Sequence, residues 1–337
     1  MKIRFTPALL AAALVAAALP VQAGISIDRP SPSITVCPGP ISPATLYLQL
    51  MPPTGGCDVG WGLGPQVEVL DVNYGLIATD NTDAASANNQ YDAGAGFVYV
   101  FSGDRASQGL FGTPYRGQFA NNQAASDLFR SGVPSVSPAT VMGGPCNPPA
   151  VIAGPWPVLY RNQTDFNLIT TNAPAVAAAG AQDNLDALEL DNFDPDADWI
   201  HELGVYFSLD PTSPTRALLG PGSPADLFYS PPGAGPGVFA TAAQMGLGAG
   251  NDVDAVTVWD RNLAGTAEAG IDYAVFSVRP GSAMLAGPDA APGTPDDFSP
   301  ADLFVTDFTG AFCLYLRHNQ LGMRFQDNID GLDVIFW

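Results

Sequence analysis

The chain has very few cationic side chains. Its 337 residues include 12 Lys and Arg against 33 Asp and Glu, and Lys2 is the only lysine. Proteins that bind nucleic acid or anionic membranes neutralise phosphates with clustered Lys and Arg. This composition argues against nucleic acid as a partner and favours cations or cationic surfaces. A phosphate loop of the GxxxxGK(S/T) type is also excluded.

Recognisable catalytic motifs are missing as well. The two histidines, His201 and His318, lie far apart in the sequence, and neither HExxH nor Gly-x-Ser-x-Gly occurs. A general base needs partner residues, which the sequence does not identify. We therefore expect a non-enzymatic protein. The alternative is an exported hydrolase whose loops place Asp194, Asp196 and His201 around a metal.

Long hydrophobic runs are confined to the start of the chain. Residues 1–23 combine Lys2 and Arg4 with the run PALLAAALVAAALP and a small-residue ending, the pattern of a secretory signal peptide. The run is too short for a comfortable membrane span, which needs roughly 20 apolar residues. We expect an exported, soluble protein, periplasmic or extracellular, without a membrane span.

Cysteines are few but even in number. They are Cys37, Cys57, Cys146 and Cys313. An oxidising compartment favours disulfides, and four cysteines allow three pairings. The pairing of Cys37 with Cys57, which bracket one short strand-like run, is favoured, and it leaves Cys146 with Cys313. Free buried thiols are the alternative.

An Asp-containing stretch recurs along the chain. It reads QDNLDALEL at 182–190, GNDVDAVTV at 250–258 and QDNIDGLDV at 326–334, and a degenerate copy, VEVLDV at 67–72, has Glu68 in place of the Asp. Three further elements recur in order. They are VYVFSGD, VYFSLD and AVFSVR (98–104, 205–210, 274–279); ASDLF, PADLF and PADLF (125–129, 224–228, 300–304); and TLYLQL, PVLYRNQ, GVFATAAQMGL and FCLYLRHNQLGM (45–50, 157–163, 237–247, 312–323).

The elements predict an all-β fold of repeated four-stranded units. Each is four to eight residues long, apolar, and bounded by Gly, Pro, Asn or Asp, which is the signature of strands. Such repeats predict a β-propeller-like protein, with a β-sandwich of stacked sheets as the alternative. The predicted organisation is an N-terminal segment at 24–64, repeat units at about 65–181, 182–249 and 250–325, and a closing strand at 326–337.

The order D-x-D-A-L, Y-F-S, A-D-L-F resembles a group of exported bacterial β-propeller-like repeat proteins of unassigned function. The resemblance covers roughly residues 65–337, and it implies a fold but transfers no catalytic residue. Three full units are fewer than the four to eight blades of typical propellers. Closure is therefore predicted through a divergent N-terminal blade or through a homodimer. The two chain ends, near 45–50 and 329–335, are expected to complete one blade.

The repeated aspartates have two interpretations. They are Asp183, Asp186, Asp252, Asp254, Asp327 and Asp330. Side-chain oxygens of Asp commonly hold turns by accepting backbone hydrogen bonds. Clustered carboxylates also suit Ca²⁺, which takes 6 to 8 oxygen ligands. The turn role is favoured, with a metal site as the alternative.

The best calcium candidate is the loop 191–198, DNFDPDAD. It contributes Asp191, Asp194, Asp196 and Asp198, although it lacks the Gly and Glu of an EF-hand loop. A solvated acidic loop is the competing interpretation. Five tryptophans fall outside the repeat period, and exposed Trp stacks on sugar rings. We expect a binding or structural module whose partner is a protein or carbohydrate at the cell surface.

Overall fold

The computed structural model describes the strands, the short helices and most of the C-terminal half. The described residues are 21–27, 46–51, 66–69, 82–87, 99–103, 107–108, 113–120, 125–130, 158–162, 165, 168, 183–190, 204–219, 222–231, 234–288, 290–294, 297–319, 321 and 323–335. Burial is described for fewer residues, from 82 onward.

The described residues form sixteen strands in four antiparallel sheets of four strands each. Sheet I contains β1 (Val21–Ile27), β2 (Leu46–Met51), β3 (Gln66–Val69) and β16 (Ile329–Ile335). Sheet II contains β4 (Thr82–Ala87), β5 (Tyr99–Gly103), β6 (Leu128–Arg130) and β7 (Val158–Arg161). Sheet III contains β8 (Leu185–Leu190), β9 (Val205–Leu209), β10 (Leu227–Ser230) and β11 (Gly237–Ala240). Sheet IV contains β12 (Val253–Trp259), β13 (Tyr273–Val278), β14 (Leu303–Thr306) and β15 (Phe312–Leu316).

The all-β prediction is confirmed. Helical structure in the described part is limited to α1 (Pro114–Ala120), α2 (Pro214–Leu219) and one 3₁₀ turn, Ala283–Ala286. Both α-helices open with a proline, whose fixed φ suits the first helical position. No helix in the described part of the chain combines the length and apolar character that crossing a membrane requires.

The two ends of the chain build sheet I together. Strand β16 pairs with β1, and the sheet runs β16-β1-β2-β3. A C-terminal strand therefore completes a sheet of N-terminal strands, as the sequence predicted. The segment 45–50 was assigned to the wrong strand type, however. It forms β2, the third strand of its sheet, and the residues before it, SPATLY at 42–47, align with SPADLF at 299–304.

The first copy of the Asp element was also misplaced. The segment around Glu68 forms β3, the fourth strand of sheet I. The first strand of sheet II is β4, which begins within 80-DNTDA-84. That stretch matches 183-DNLDA-187. Alanine-rich TDAASA is less apolar than the other copies, so a search for hydrophobic runs passes over it.

Buried side chains lie in layers between consecutive sheets. One layer contains Val100, Leu188 and Phe207 of sheets II and III. A second contains Phe239 and Phe276 of sheets III and IV. A third joins sheet IV to β16 through further buried apolar residues, namely Ala255, Val275, Leu303, Ile329 and Leu332. The first strands of the sheets also contact one another: β16 with β4, β4 with β8, β8 with β12, and β12 with β16.

Candidate functional site

Each of the four sheets has a register shift at the same motif position. One residue of the first strand is skipped where it pairs with the second strand, which is the pattern of a β-bulge. The skipped residues are Asp83, Asp186, Asp254 and Asp330. The second Asp of the repeated motif therefore marks a bulge at the start of every first strand. Asp186, Asp254 and Asp330 are buried there.

The first polar residue of the motif holds the segment that follows the second strand. In sheet III, Asp183 Oδ1 accepts a 2.9 Å hydrogen bond from the Thr215 backbone N–H at the start of α2. In sheet IV, Asn251 Oδ1 accepts a 2.8 Å bond from the Met284 N–H. Asp183 therefore fastens the start of α2 to the first strand through a long-range hydrogen bond rather than a local turn, and its counterpart in sheet IV is Asn251.

Asp252 is therefore not the counterpart of Asp183, although both are among the repeated aspartates. Asp252 lies two residues before the bulged Asp254, at the place that Asn184 and Asn328 occupy in sheets III and I. The backbone confirms the alignment, since the Asn184 N–H donates to Ser213 Oγ at 2.9 Å and the Asp252 N–H donates to Ser282 Oγ at 3.1 Å. Sheet IV thus has a carboxylate where two other sheets have an amide.

The amide at this place joins carboxylates. Asn328 Nδ2 donates to Asp330 Oδ1 in its own sheet and to Asp254 Oδ2 in sheet IV, both at 2.6 Å. Asn184 Nδ2 similarly lies 3.3 Å from Asp186 Oδ1. An amide nitrogen can donate two hydrogen bonds, whereas an ionised carboxylate can only accept them. The Asp at 252 therefore removes a donor from the cluster of carboxylates.

Arg279 is the cationic side chain beside these carboxylates in sheet IV. It directly follows β13, at the place where sheet III has Asp210. Its guanidinium lies 3.0 Å from Asp210 Oδ2 and 3.6 Å from Asp252 Oδ2. Burial works to lower the pKa of Arg279, but the carboxylates of Asp186 and Asp254 outweigh it and raise that pKa. Arg279 is therefore a fixed positive charge among these carboxylates.

The Asp252 carboxyl is buried with little compensation. Its residue is 7 % exposed, and neither carboxylate oxygen accepts a hydrogen bond from the described residues. Burial raises the pKa of Asp252 to about 7, the guanidinium of Arg279 counteracts this rise, and the Asp210 carboxylate adds to it. This environment differs from that of the other repeat aspartates, whose carboxylates accept hydrogen bonds.

The Asp of the third element ties two loops together. Asp226 accepts hydrogen bonds from the Ser223 N–H at 2.8 Å and the Ala242 N–H at 2.7 Å. Asp302 accepts from the Ser299 N–H at 2.9 Å and the His318 N–H at 2.6 Å. Each carboxylate thus fastens the turn before the third strand to the loop after the fourth.

Sheet IV adds a histidine to this arrangement. His318 Nδ1 lies 2.8 Å from Asp302 Oδ1, and the Arg317 guanidinium lies 3.6 Å from Asp302 Oδ2. The ring of His318 packs edge-on against Phe325. A histidine held by a buried carboxylate is one part of a catalytic triad. The nearby Ser299, whose N–H donates to the same carboxylate, directs its hydroxyl to the Phe325 carbonyl at 2.7 Å.

Two of the recurring serines link one sheet to the next, whereas Ser102 in β5 donates to the Ala125 carbonyl, just before β6 of its own sheet. Ser208 Oγ in β9 donates to the Val253 carbonyl at 2.8 Å, and Ser277 Oγ in β13 donates to the Ile329 carbonyl at 2.9 Å. Both serines are fully buried. The two serines therefore serve packing between sheets.

Several predicted site residues lie outside the described residues. They are Asp191, Asp194, Asp196, Asp198, His201, Cys37, Cys57 and Cys146. Cys313 is disulfide-bonded. Asp327 is buried and accepts a 2.6 Å bond from the Arg324 N–H. Within the part of the chain that the structure describes, no three His, Cys, Asp or Glu side chains are grouped so that they could hold a metal ion.

One cavity of about 270 Å³ opens beside β14 and β15, and its lining includes Tyr273, Asp307, Thr309 and Cys313. Its cysteine is already in a disulfide, and the Asp307 carboxylate accepts hydrogen bonds from the backbone and hydroxyl of Thr309. Trp259, one of the tryptophans considered for sugar binding, packs instead against a buried cluster. No catalytic set converges on this cavity.

Comparisons with known proteins give no identification: no family model, curated protein or solved structure matches the chain.

Residues of the Arg279 cluster were largely missed at the level of sequence. Asp210 and Arg279 follow the second strands, and nothing local marks them as partners of the Asp motif. The available signal was a pair of exchanges within the repeats: Arg replaces Asp at 279, and Asp replaces Asn at 252.

Proposed function

We propose that the chain is an exported, non-enzymatic binding or structural module with a propeller-like body. The observation that carries this proposal is the use of the repeated polar side chains. Asp183, Asp226, Asp302, Ser208 and Ser277 all direct hydrogen bonds to the protein itself. Residues engaged in this way maintain a scaffold, and loops on a scaffold are where binding sites are commonly built.

Sheet contacts support the propeller-like arrangement. Four sheets whose first strands touch in cyclic order, with apolar layers described at three of the four junctions, fit radial packing around one axis. Closure by β16 also pairs an edge of sheet I that would otherwise be open. A single chain closed in this way needs no second copy.

Charge supports a cationic partner. The net charge of −21 repels anionic surfaces and concentrates cations near the protein. The segment 191–198, between β8 and β9 in the sequence, remains our candidate for calcium, because Asp183, Asp254 and Asp330 already accept hydrogen bonds within the protein. Protein and carbohydrate ligands at the cell surface are the other candidates.

An activity survey separates this function from a hydrolase. Purified protein would be assayed with chromogenic esters, phosphoesters and glycosides, with calcium and with EDTA. We expect no turnover above that of a heat-denatured sample. Turnover that is lost in His201→Ala and Asp194→Asn, but retained in the control Asp307→Asn, would establish the hydrolase instead.

Thermal unfolding tests the calcium component. A ligand that binds only the folded state, at 100 times its dissociation constant, stabilises it by about 2.7 kcal/mol. We expect excess calcium to raise the melting temperature relative to EDTA, and the shift to vanish when Asp194 and Asp196 are both changed to Asn. A shift that survives in that double variant would move the site elsewhere, and no shift at all would remove calcium from the proposal.

A further inference from the structure

We propose that Asp252 binds a proton in the folded protein near neutral pH. The protonated carboxyl then donates a hydrogen bond to a neighbouring carboxylate, as the amide of Asn does at the same place in other sheets. The proposal concerns a proton site at the bulged ends of the first strands, and it is independent of the proposed function. It predicts that the junction of sheets III and IV responds to pH.

The geometry first shows a shortage of donors. Four carboxylates, those of Asp186, Asp210, Asp252 and Asp254, interact with the one guanidinium of Arg279. Arg279 makes its shorter contact with Asp210, at 3.0 Å against 3.6 Å for Asp252. The Asp252 carboxyl is thus the less well compensated of the two.

Burial makes this shortage costly. Asp252 is 7 % exposed, and both its carboxylate oxygens lack a hydrogen-bond donor among the described residues. A buried ionised carboxylate without donors is strongly unfavourable, and such groups usually become neutral by taking up a proton. A proton also turns the carboxyl from an acceptor into a donor.

The neighbouring repeat indicates what that donor would do. Asn328 uses its amide to bridge the bulged Asp330 of its own sheet and the bulged Asp254 of the preceding one. At the equivalent place in sheet IV, the corresponding carboxylates are Asp254 and Asp186. These two also raise the pKa of Arg279, against the opposing effect of its burial. A protonated Asp252 would join Arg279 in compensating them.

Charged groups on several neighbouring elements surround Asp252 and Arg279. Asp210 follows β9, Asp186 lies in β8, Asp254 lies in β12, Arg279 follows β13, and Arg216 of α2 acts at longer range. Burial raises the pKa of Asp252 most, Arg279 lowers it and Asp210 raises it, with about 7 as the result. The ordinary value is 3.8.

This shift fixes the sign of the pH effect. Because the folded-state pKa lies above the unfolded-state value, the folded protein holds the proton more tightly between about pH 4 and pH 7. The contribution of Asp252 to stability is therefore fully present below pH 4, falls as the pH rises through about 7, and is constant above that.

The test compares the wild type with Asp252→Asn, which carries the amide of the other sheets. Melting temperatures would be measured from about pH 5 to pH 8. We expect the wild type to lose several degrees relative to Asp252→Asn as the pH rises. The control Asp307→Asn should parallel the wild type, because the hydrogen bond from Thr309 lowers the pKa of Asp307 and its titration falls below this range. Parallel curves for Asp252→Asn and wild type would overturn the proposal.

A direct reading does not depend on the variant folding. The side-chain carboxyl ¹³C resonance of Asp252, assigned through its own backbone in the wild type, should titrate near neutral pH. In Arg279→Gln the midpoint should rise, because the guanidinium that lowers the pKa is gone. A resonance that shows no titration between about pH 5 and pH 8 would overturn the proposal even if Asp252→Asn does not fold.

Discussion

Sheets III and IV use the same arrangement of strands, with different polar residues at two equivalent positions. In sheet III, Asn184 precedes the bulged Asp186 and an aspartate, Asp210, follows the second strand. In sheet IV, Asp252 takes the place of the amide and Arg279 takes the place of the aspartate. The two exchanges partly compensate each other, because the new carboxylate lies beside the new guanidinium. A repeat can therefore keep its backbone while a neutral amide and an aspartate are replaced by an aspartate and an arginine, provided that both members change.

The third-element aspartates should give the largest effects, and they should differ between the sheets. Asp226→Ala leaves the half-buried N–H of Ser223 and the buried N–H of Ala242 without their acceptor, which we expect to cost about 2–3 kcal/mol. Asp302→Ala also removes the carboxylate partner of His318 and Arg317 and should cost about 3–5 kcal/mol. Denaturant unfolding measures both. Equal losses would show that the additional partners in sheet IV contribute nothing.

The exchanged pair can be tested by converting sheet IV to the pattern of sheet III. Arg279→Asp alone adds a carboxylate to the cluster and should destabilise the protein by about 2–3 kcal/mol. Asp252→Asn combined with Arg279→Asp should recover about 1 kcal/mol relative to the sum of the single changes, since residues in contact couple. The measurement is a double-mutant cycle by denaturant unfolding. Strict additivity would contradict compensation.

The inter-sheet serines should sharpen the comparison from the opposite side, because here the sheets agree. Ser208→Ala and Ser277→Ala each remove one buried hydrogen bond to a carbonyl of the next sheet. Each should cost about 1 kcal/mol. We expect the two losses in the free energy of unfolding to agree within experimental error. Denaturant unfolding, analysed with one common m-value, measures both. A large difference would mean that the serines serve different purposes.

Asp307 should have the smallest effect. The hydrogen bond from the Thr309 hydroxyl lowers the pKa of this exposed carboxyl despite the slight opposing effect of burial. Its contribution to stability is therefore present above the ordinary value of 3.8 and is lost as the pH falls below it. Asp307→Asn should therefore be slightly less stable than the wild type at neutral pH and should match it in acid, where Asp307 is protonated in both states. A marked difference at neutral pH would contradict this local role.

Much of the fold followed from short-range patterns. The stretches around Leu185–Leu190, Val253–Trp259 and Ile329–Ile335 were recognised as strands because apolar residues and flanking Asp, Gly and Pro mark a strand locally. Sheet II was misjudged at 82–87, where Thr and Ala replace the larger apolar residues. The SPATLY segment in sheet I was also assigned to the wrong strand, because its Asp is replaced by Thr45.

The candidate site was less accessible to sequence. Asp327 accepts its hydrogen bond from the Arg324 N–H, three residues earlier, which is the local contact that the favoured turn role describes. Asp183 accepts from Thr215, 32 residues later in the chain, and local sequence does not predict that contact. The role of Asp252 was not predicted, because the exchange of Asn for Asp is visible in the repeats but its burial beside Asp210 and Arg279 depends on how the sheets pack. Asp252 also interacts with Asp210, which is 42 positions earlier in the chain and belongs to a different sheet unit.

The sequence by itself determined the all-β class, the four-stranded repeat and the acidic character, because strand propensity, turn residues and net charge are properties of short segments or of composition. Tertiary structure decided which strands close sheet I, which repeat positions are equivalent, and which carboxylate is left without donors. Those outcomes depend on distances between residues far apart in the chain. The environment of Asp252 in particular exists only once two sheets have packed together and excluded water from it.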